Sequence, residues 1–381
     1  MRKVILLGAS GSIGKQTLDI IEDHRSEIEV VALSVGHNID FLRSYLKDHD
    51  ILCAYAIKVP EDIKEAYPNV KFYEGEELLS LLDVEYDLLI NALVGFVGFK
   101  PTLKAIRAGR DVALANKESL VVGGELIKDA MQKTGSKLYP IDSEHSAIYQ
   151  CLKGSFNKEI KRLIITASGG AFRDMKRSEL SDVKKEDALK HPTWSMGPKI
   201  TIDSATMMNK AFEIIEAHYL FDIPYEKIDV IEHRESIVHS FVEFNDGSIL
   251  AQLSEPDMRL PISYALFDAH LPYSASKSLD LARVGELHFQ ELSYKRFPLL
   301  EVAKLAGKIG GDLLAYLDGA NDTAVELFLK DRIPFLMIEE VIIECLKHFD
   351  IDKDADEEAI EKAYEKARSF TLRYTNNEDL R

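Results

Sequence analysis

Cysteine is scarce in this chain of 381 residues: Cys53, Cys151 and Cys345 are widely spaced, odd in number, and form no CxxC pair. That usage speaks against a disulfide framework and fits a reducing compartment. Basic charge is in deficit, with Lys+Arg 47 against Asp+Glu 64 and a net charge of −17. Nucleic-acid binding rests on neutralising phosphates with a basic surface, so the chain as a whole is not expected to bind nucleic acid. A small anionic ligand is still allowed, because helix N-termini and local basic groups bind phosphate inside acidic proteins. Long apolar runs are missing too: none approaches the roughly 18 residues of a membrane span. Met1-Arg2-Lys3 resembles the start of a secretory signal, but only Val4 to Leu7 follow before a glycine-rich loop. An h-region needs about 7–15 apolar residues. The expectation is a cytoplasmic protein without a membrane segment. Tryptophan occurs once, at Trp194.

What is present is ordinary globular composition, 46% hydrophobic and 29% charged, enough chain for two or three domains at roughly 100–200 residues each. Val4–Leu7 reads as a buried parallel strand, Lys15–Glu22 as a helix and Glu29–Val35 as a second strand, a βαβ unit. Strands at 87–92, 111–115 and 138–141 alternate with helices at 102–108 and 123–133. Residues 1–142 are therefore expected to form a doubly wound α/β domain. Farther along, a strand at 163–166, a long helix at 204–221 and strands at 228–233, 237–244 and 248–253 predict an α+β domain over 143–270. Asn245-Asp246-Gly247 marks a hairpin between the last two strands, and a half-buried antiparallel sheet could serve as a dimer surface. Residues 271–295 read as a connector. Helical stretches at 299–306, 312–316, 324–329, 336–348 and 357–369 predict a C-terminal helical bundle over 296–381.

Gly8, Gly11 and Gly14 lie between the first strand and its helix. Glycines there permit a tight turn, close approach of a pyrophosphate and helix packing on the sheet, with helix N–H groups facing the phosphates. The end of the second strand, Ser34-Val35-Gly36-His37-Asn38, has no acid until Asp40. An acid there would select the ribose 2′-OH of NAD. Without it, Ser34, His37 and Asn38 can hydrogen-bond a 2′-phosphate, which favours NADP.

Asp142 and Glu144 stand two apart in Pro140-Ile141-Asp142-Ser143-Glu144-His145, at the C-terminal edge of a strand where open α/β sheets bind ligands. In extended chain both side chains point the same way. Glu213 adds a third carboxylate on the face of a helix that carries Asn209 and Lys210, at i,i+4 and i,i+3. An all-oxygen set suits a hard ion, Mg²⁺ or Mn²⁺. The competing reading is a surface acidic loop plus a helix ion pair. His145 fits a ligand or a structural role equally, and Glu216 fits packing or solvation. Ser168-Gly169-Gly170 after a strand, and Ser204, Asn209 and Lys210 near a helix start, offer donors for an anion. His191–Gly197, with Trp194 at its centre, is either a lid over a ligand or a structural loop around a core tryptophan.

These stretches together resemble the 1-deoxy-D-xylulose 5-phosphate reductoisomerase family: GASGSIG at 8–14, LANKESLV at 114–121, PIDSEH at 140–145, SGGAF at 168–172, HPTWSMG at 191–197, IDSATMMNK at 202–210, GSILAQLSEPDMR at 247–259 and GAND at 319–322. The resemblance spans almost the whole chain, and HPTWSMG with DSATMMNK is far more specific than the glycine loop. It implies a homodimer of V-shaped subunits, each with an NADPH domain, a catalytic domain with the dimer sheet and a C-terminal helical domain. It implies conversion of 1-deoxy-D-xylulose 5-phosphate, a small phosphorylated ketose, to 2-C-methyl-D-erythritol 4-phosphate with NADPH, in the non-mevalonate route to isoprenoid precursors. Mg²⁺ or Mn²⁺, with Co²⁺ as a further candidate, would be held by Asp142, Glu144 and Glu213. Gly8, Ser10, Gly11, Ser12 and Ile13 would meet the NADPH pyrophosphate region, Gly36, His37 and Asn38 the adenosine ribose, and Asn116, Glu118 and Gly197 the cofactor elsewhere. Lys117, Ser143 and Glu144 would meet the polar backbone of the substrate. Ser168, His191, Ser204, Asn209 and Lys210 would surround the substrate, mostly at its phosphate end, and Trp194 would cover the substrate when the lid closes. Lys117, Glu144 and Glu213 would carry the chemistry. Many relatives carry a basic residue at the position of His37, and a neutral imidazole attracts a 2′-phosphate less than lysine does. Two other readings share parts of this pattern. A hydroxy-acid or semialdehyde dehydrogenase would survive chelation, and a nucleotide-sensing regulator would not turn over NADPH.

Overall fold

The computed structural model describes residues 1–155, 159–268 and 276–376. They form two compact units. The first comprises Met1–Ser119, Glu125–Ser146 and Asp257–Lys277; the second comprises Leu120–Gly124, Ala147–Pro256 and Ser278–Arg381.

The first unit is built on a seven-stranded sheet: β1 (Arg2–Leu7), β2 (Ile28–Ser34), β3 (Cys53–Ala56), β4 (Lys71–Glu74), β5 (Leu88–Asn91), β6 (Asp111–Leu114) and β7 (Leu138–Pro140), in the order β4-β3-β2-β1-β5-β6-β7. Every pairing is parallel. Helices on both faces bury the strands, so Val4 to Leu7 and Leu88 to Ile90 are 0% exposed; that is why these strands read as unbroken apolar runs. The strand order reverses between β1 and β5, which puts the ligand crevice of such a sheet at the end of β1. Gly8 stands there with φ +80°, and a Cβ on it would come within 2.4 Å of the Ala92 carbonyl oxygen after β5. Between β2 and β5, where the residue pattern predicts no element, lie the helices Ile39–Asp48 and Glu61–Ala66 and the two short strands β3 and β4.

The second unit contains a five-stranded sheet: β8 (Ile160–Ala167), β9 (Ile228–Glu232), β10 (Val238–Phe244), β11 (Ile249–Leu253) and β12 (Gln290–Glu291), ordered β11-β10-β8-β9-β12. It is mixed, not purely antiparallel: β8 and β9 run parallel, while the other pairings are antiparallel. The helix expected over 204–221 is two, Pro198–Thr206 and Met208–Phe221, broken at Met207, which sits at φ 65°. The two stretches expected at 312–316 and 324–329 are one helix, Leu313–Leu329. Its middle, Asp318 to Thr323, lacks apolar periodicity because buried polar residues stand there; Asp318 and Asn321 are 0% exposed.

The units depart from the division expected from sequence, for packing reasons. The helix Leu299–Ile309 lies on Met208–Phe221, and Leu313–Leu329 lies on Pro198–Thr206, so the C-terminal helices pack on helices of the central region within one compact unit. Within 257–277, the helix Arg259–Leu266 packs on Ser12–Asp23 and β7. Arg259 pairs with Asp19 at 3.0 Å, and Arg2 Nη1 donates to the Leu266 carbonyl at 2.6 Å. The first residues of the expected connector, 271–275, lie outside the described residues. Among the described residues, no helix is long and apolar enough to cross a membrane.

Gly8→Ala places a side chain where neither φ nor space allows one. It should destabilise the protein by about 2–4 kcal/mol, seen as a lowered urea midpoint with unchanged slope.

Candidate active site

In the first unit the glycine loop is tied to the end of β2. Gly8 N–H donates to Ser34 Oγ at 2.9 Å, Ala9 N–H to the Ser34 carbonyl at 2.8 Å, and Ser10 Oγ to the Val35 carbonyl at 3.1 Å. The helix Ser12–Asp23 then begins with Gly11 as its N-cap and no side-chain cap. Its first N–H groups, around Ser12 and Ile13, are therefore available to an anion. Ser34 is 1% exposed and engaged by Gly8, so it holds the loop instead of offering itself to a 2′-phosphate. Asn38 caps the helix Ile39–Asp48, its Oδ1 accepting from Phe41 N–H at 3.1 Å, and its amide nitrogen remains a donor on an exposed residue beside Gly36 and the exposed His37. The residues fit a dinucleotide: a glycine turn, an uncapped helix start and no acid at the end of β2.

Asn116 is buried and caps the helix Lys117–Thr134, with Oδ1 accepting from Ser119 N–H at 3.0 Å. Its amide donates to the carbonyls of Leu93 and Gly95, at 3.0 and 2.9 Å, and to Glu118 Oε2 at 3.1 Å. The side chain thus shapes the crevice after β5.

Lys117 follows β6 and Asp142 follows β7, and those strands pair in register. Lys117 Nζ donates to Asp142 Oδ2 at 3.0 Å, with side-chain exposures of 10% and 13%. Asp142 Oδ1 also accepts from Glu144 N–H at 3.2 Å and lies 3.4 Å from Nδ1 of the buried His145. The alternation expected for Asp142 and Glu144 does not hold: Glu144 belongs to the first turn of the helix Ser143–Lys153, and Asp142 caps that turn from outside it. Ser143 Oγ donates to Glu144 Oε2 at 2.5 Å.

In the second unit the expected helix face is real. Asn209 Nδ2 donates to Glu213 Oε1 at 2.6 Å and Lys210 Nζ to Oε2 at 2.5 Å, with Glu213 1% exposed. The break at Met207 starts a new helix just before Asn209, so both donors ride on a first turn whose N–H groups also favour anions. Thr206 Oγ1 accepts from Met208 N–H at 3.3 Å, a local bond that competes with helix continuation. Nothing in the apolar pattern of IDSATMMNK signals this break. After β8, Gly170 takes φ +68°, and a Cβ there would lie 2.6 Å from the Ser204 carbonyl. The Ser168–Gly170 loop therefore lies on the end of the helix that carries Ser204.

His191 organises the loop over 191–197. Its Nδ1 accepts from Thr193 N–H at 3.2 Å and Trp194 N–H at 2.9 Å, so that nitrogen carries no proton. The proton is on Nε2, which stands 3.0 Å from Ser168 Oγ and donates to it. Burial, followed by the positive charges of Arg173 and Lys210, pushes the imidazole from its ordinary 6.5 down to about 4. The sequence suggested a ligand-facing His191 but not this cap. Trp194 is half-buried, its ring 6.2 Å from that of His239, and Gly197 ends the loop as the uncapped start of Pro198–Thr206.

Three family models match the chain. The model described as 1-deoxy-D-xylulose 5-phosphate reductoisomerase covers residues 4–124, the C-terminal domain of the same enzyme covers 138–221, and a DXP reductoisomerase C-terminal domain covers 253–370. A 1-deoxy-D-xylulose 5-phosphate reductoisomerase of Bacillus subtilis is 49% identical over 364 residues, 93% of this chain and 94% of the relative. A second from Bacillus anthracis is 50% identical over 359 residues, 92% and 94% of the two chains. Among solved structures, DOX-P reductoisomerase in complex with NADPH, fosmidomycin and magnesium superposes with a TM-score of 0.92 at 35% identity, over 99% of this chain and 98% of that one. The Zymomonas mobilis enzyme in complex with NADPH gives 0.90 at 39%, over 98% of each.

Because folded His191 refuses a proton that the unfolded chain accepts, its contribution to stability is complete above pH 6.5 and is lost as the pH falls towards about 4. Urea titrations at several pH values should show a smaller loss of stability below pH 6.5 for His191→Gln than for the unaltered protein. Nitrogen NMR should show the Nε2–H tautomer at pH 7.

Proposed function

The chain belongs to the 1-deoxy-D-xylulose 5-phosphate reductoisomerase family, and from that membership we propose the residue roles that follow. The protein is an NADPH-dependent oxidoreductase and isomerase acting on 1-deoxy-D-xylulose 5-phosphate, with Mg²⁺ as its ion, in isoprenoid-precursor synthesis. The readings as a simple dehydrogenase or a nucleotide-sensing regulator fall with this assignment. The observation that carries the residue roles is the buried pairing of Lys210 and Asn209 with Glu213 beside a helix start built for anions.

Asp142, Glu144 and Glu213 hold the ion; they offer oxygen alone, the donor set of a hard divalent cation. When bound, the ion polarises the substrate carbonyl and NADPH supplies the hydride. Lys117, oriented by Asp142, presents its side-chain nitrogen to a substrate hydroxyl, and Ser143 and Glu144 complete that polar wall. Ser168 accepts from His191 Nε2–H, so its own hydroxyl proton is directed outwards, as a donor to a phosphate oxygen. Ser204, Asn209 and Lys210 add donors and a positive charge for the same group. Trp194 covers the substrate and excludes water from it, and binding energy from the phosphate end favours that closure. Ser10, Gly11, Ser12 and Ile13 receive the NADPH pyrophosphate at the uncapped helix start. Gly36, His37 and Asn38 take the adenosine ribose. Asn116, Glu118 and Gly197 line the remainder of the cofactor site, Asn116 by shaping it.

The protein works as a homodimer in the cytoplasm. The support for dimerisation is the edge strand β11, where Ile249 and Leu250 are 51% and 37% exposed; an exposed apolar edge is a template for pairing with another strand. Sedimentation should give a dimer, and Leu250→Glu should shift it towards monomer.

The decisive test of function is NADPH oxidation with 1-deoxy-D-xylulose 5-phosphate and Mg²⁺. EDTA should abolish turnover, and Asp142→Asn or Glu213→Gln should lower kcat by about a thousandfold while leaving NADPH affinity within about twofold. Equal loss of turnover and NADPH binding would remove the ligand roles.

A further inference from the structure

Asn321 and Asp322, in the middle of the helix Leu313–Leu329, have no part in the chemistry above, yet both are bonded to side chains of other helices. Asn321 Nδ2 donates to Asp203 Oδ1 at 2.9 Å, and since a carboxylate only accepts, the amide orientation is determined. The other oxygen of Asp203 accepts from Lys199 Nζ at 2.9 Å, and the same ammonium lies 3.0 Å from Asp322 Oδ1. Asp322 Oδ2 in turn accepts from the Tyr364 hydroxyl at 2.8 Å, on the helix Glu357–Thr375. Lys199 also stands over the Phe212 ring, 5.7 Å from its centroid. Asp203 is 3% exposed and Asn321 0%.

Lys199 and Asp203 belong to Pro198–Thr206, a helix of 9 residues. So short a helix has little stability of its own; what it packs against sets its direction. It begins where the Trp194 loop ends, and Ser204 near its other end touches the Gly170 turn. A displacement of this helix therefore moves both the stationary end of the loop and the floor under Ser168.

We propose that Asn321 and Asp322 are positioning residues for the reaction: through Asp203 and Lys199 they clamp the helix Pro198–Thr206, and so set the anchor of the Trp194 loop and the place of Ser204. This rests on the substrate-binding reading of Ser168 and Ser204. It gives the C-terminal helices a task in substrate affinity as well as in the core.

The test compares Asn321→Ala, Asn321→Asp and the double variant Asp203→Asn/Asn321→Asp. The alanine variant removes the donor to Asp203, the aspartate variant sets two carboxylates face to face, and the double variant restores one donor and one acceptor at unchanged net charge. Substrate KM should rise about tenfold in each single variant and return towards the starting value in the double variant, with NADPH affinity changed by less than about twofold. Hydrogen exchange of amides 199–206 should quicken in the single variants. A lowered melting temperature with unchanged KM and unchanged exchange would reduce the cluster to ordinary core structure and overturn the proposal. Ser204→Ala separates the two levels. If it leaves KM unchanged, the substrate reading of Ser204 fails, and the exchange rates alone decide whether the clamp exists, faster exchange supporting it and unchanged exchange ending it.

Discussion

The constraint behind the chemical end of this protein is that an ionised carboxylate can be buried only beside fixed, hydrogen-bonding partners. Glu213 is 1% exposed and has both oxygens occupied, by Asn209 and Lys210. Asp142 is held by Lys117 and by the N–H of Glu144. Removing one member of such a pair leaves an uncompensated charge, at a cost of roughly 3–5 kcal/mol in general. A site built this way carries its charges already aimed, and little reorganisation remains when a ligand arrives. Asp203 extends the same rule away from the chemistry, held between Lys199 and Asn321.

Strand ends and helix starts supply the positions. Gly8 after β1, Lys117 after β6 and Asp142 after β7 all stand at the C-terminal edge of one parallel sheet. In the second unit the break at Met207 does comparable work, since it opens a fresh helix N-terminus under Asn209 and Lys210. His191 shows how a neutral group can organise both sides of itself. Because Nδ1 is occupied by the loop N–H groups, the ring must donate through Nε2, and that donation sets the direction of the Ser168 proton.

Much of this was legible in the residues. Apolar runs located the central strands because a doubly covered parallel sheet demands them. The i,i+3 and i,i+4 spacing of Asn209, Lys210 and Glu213 located their shared face because helix geometry is local. Other features were hidden for physical reasons. The segment between β2 and β5 contains strands of only four residues, too short for a periodic signal. The polar run Asp318–Thr323 interrupts the apolar pattern and looks like a gap between helices, although Asn321 and Asp322 within it are bonded to Asp203, Lys199 and Tyr364. Strand alternation would point Asp142 and Glu144 the same way, whereas a helix begins between them.

Residue pattern alone settled the kind of local element on which most of the candidate site residues ride, because motif spacing and hydrophobic period act over a few neighbouring residues. Tertiary structure alone decided their state. The pairing of Lys117 with Asp142 spans 25 positions, that of Ser168 with His191 spans 23, and that of Asn321 with Asp203 spans 118. Which side chains become buried together, which tautomer a histidine adopts and which chain segments share a core depend on contacts between residues distant in sequence, and no local pattern encodes those contacts.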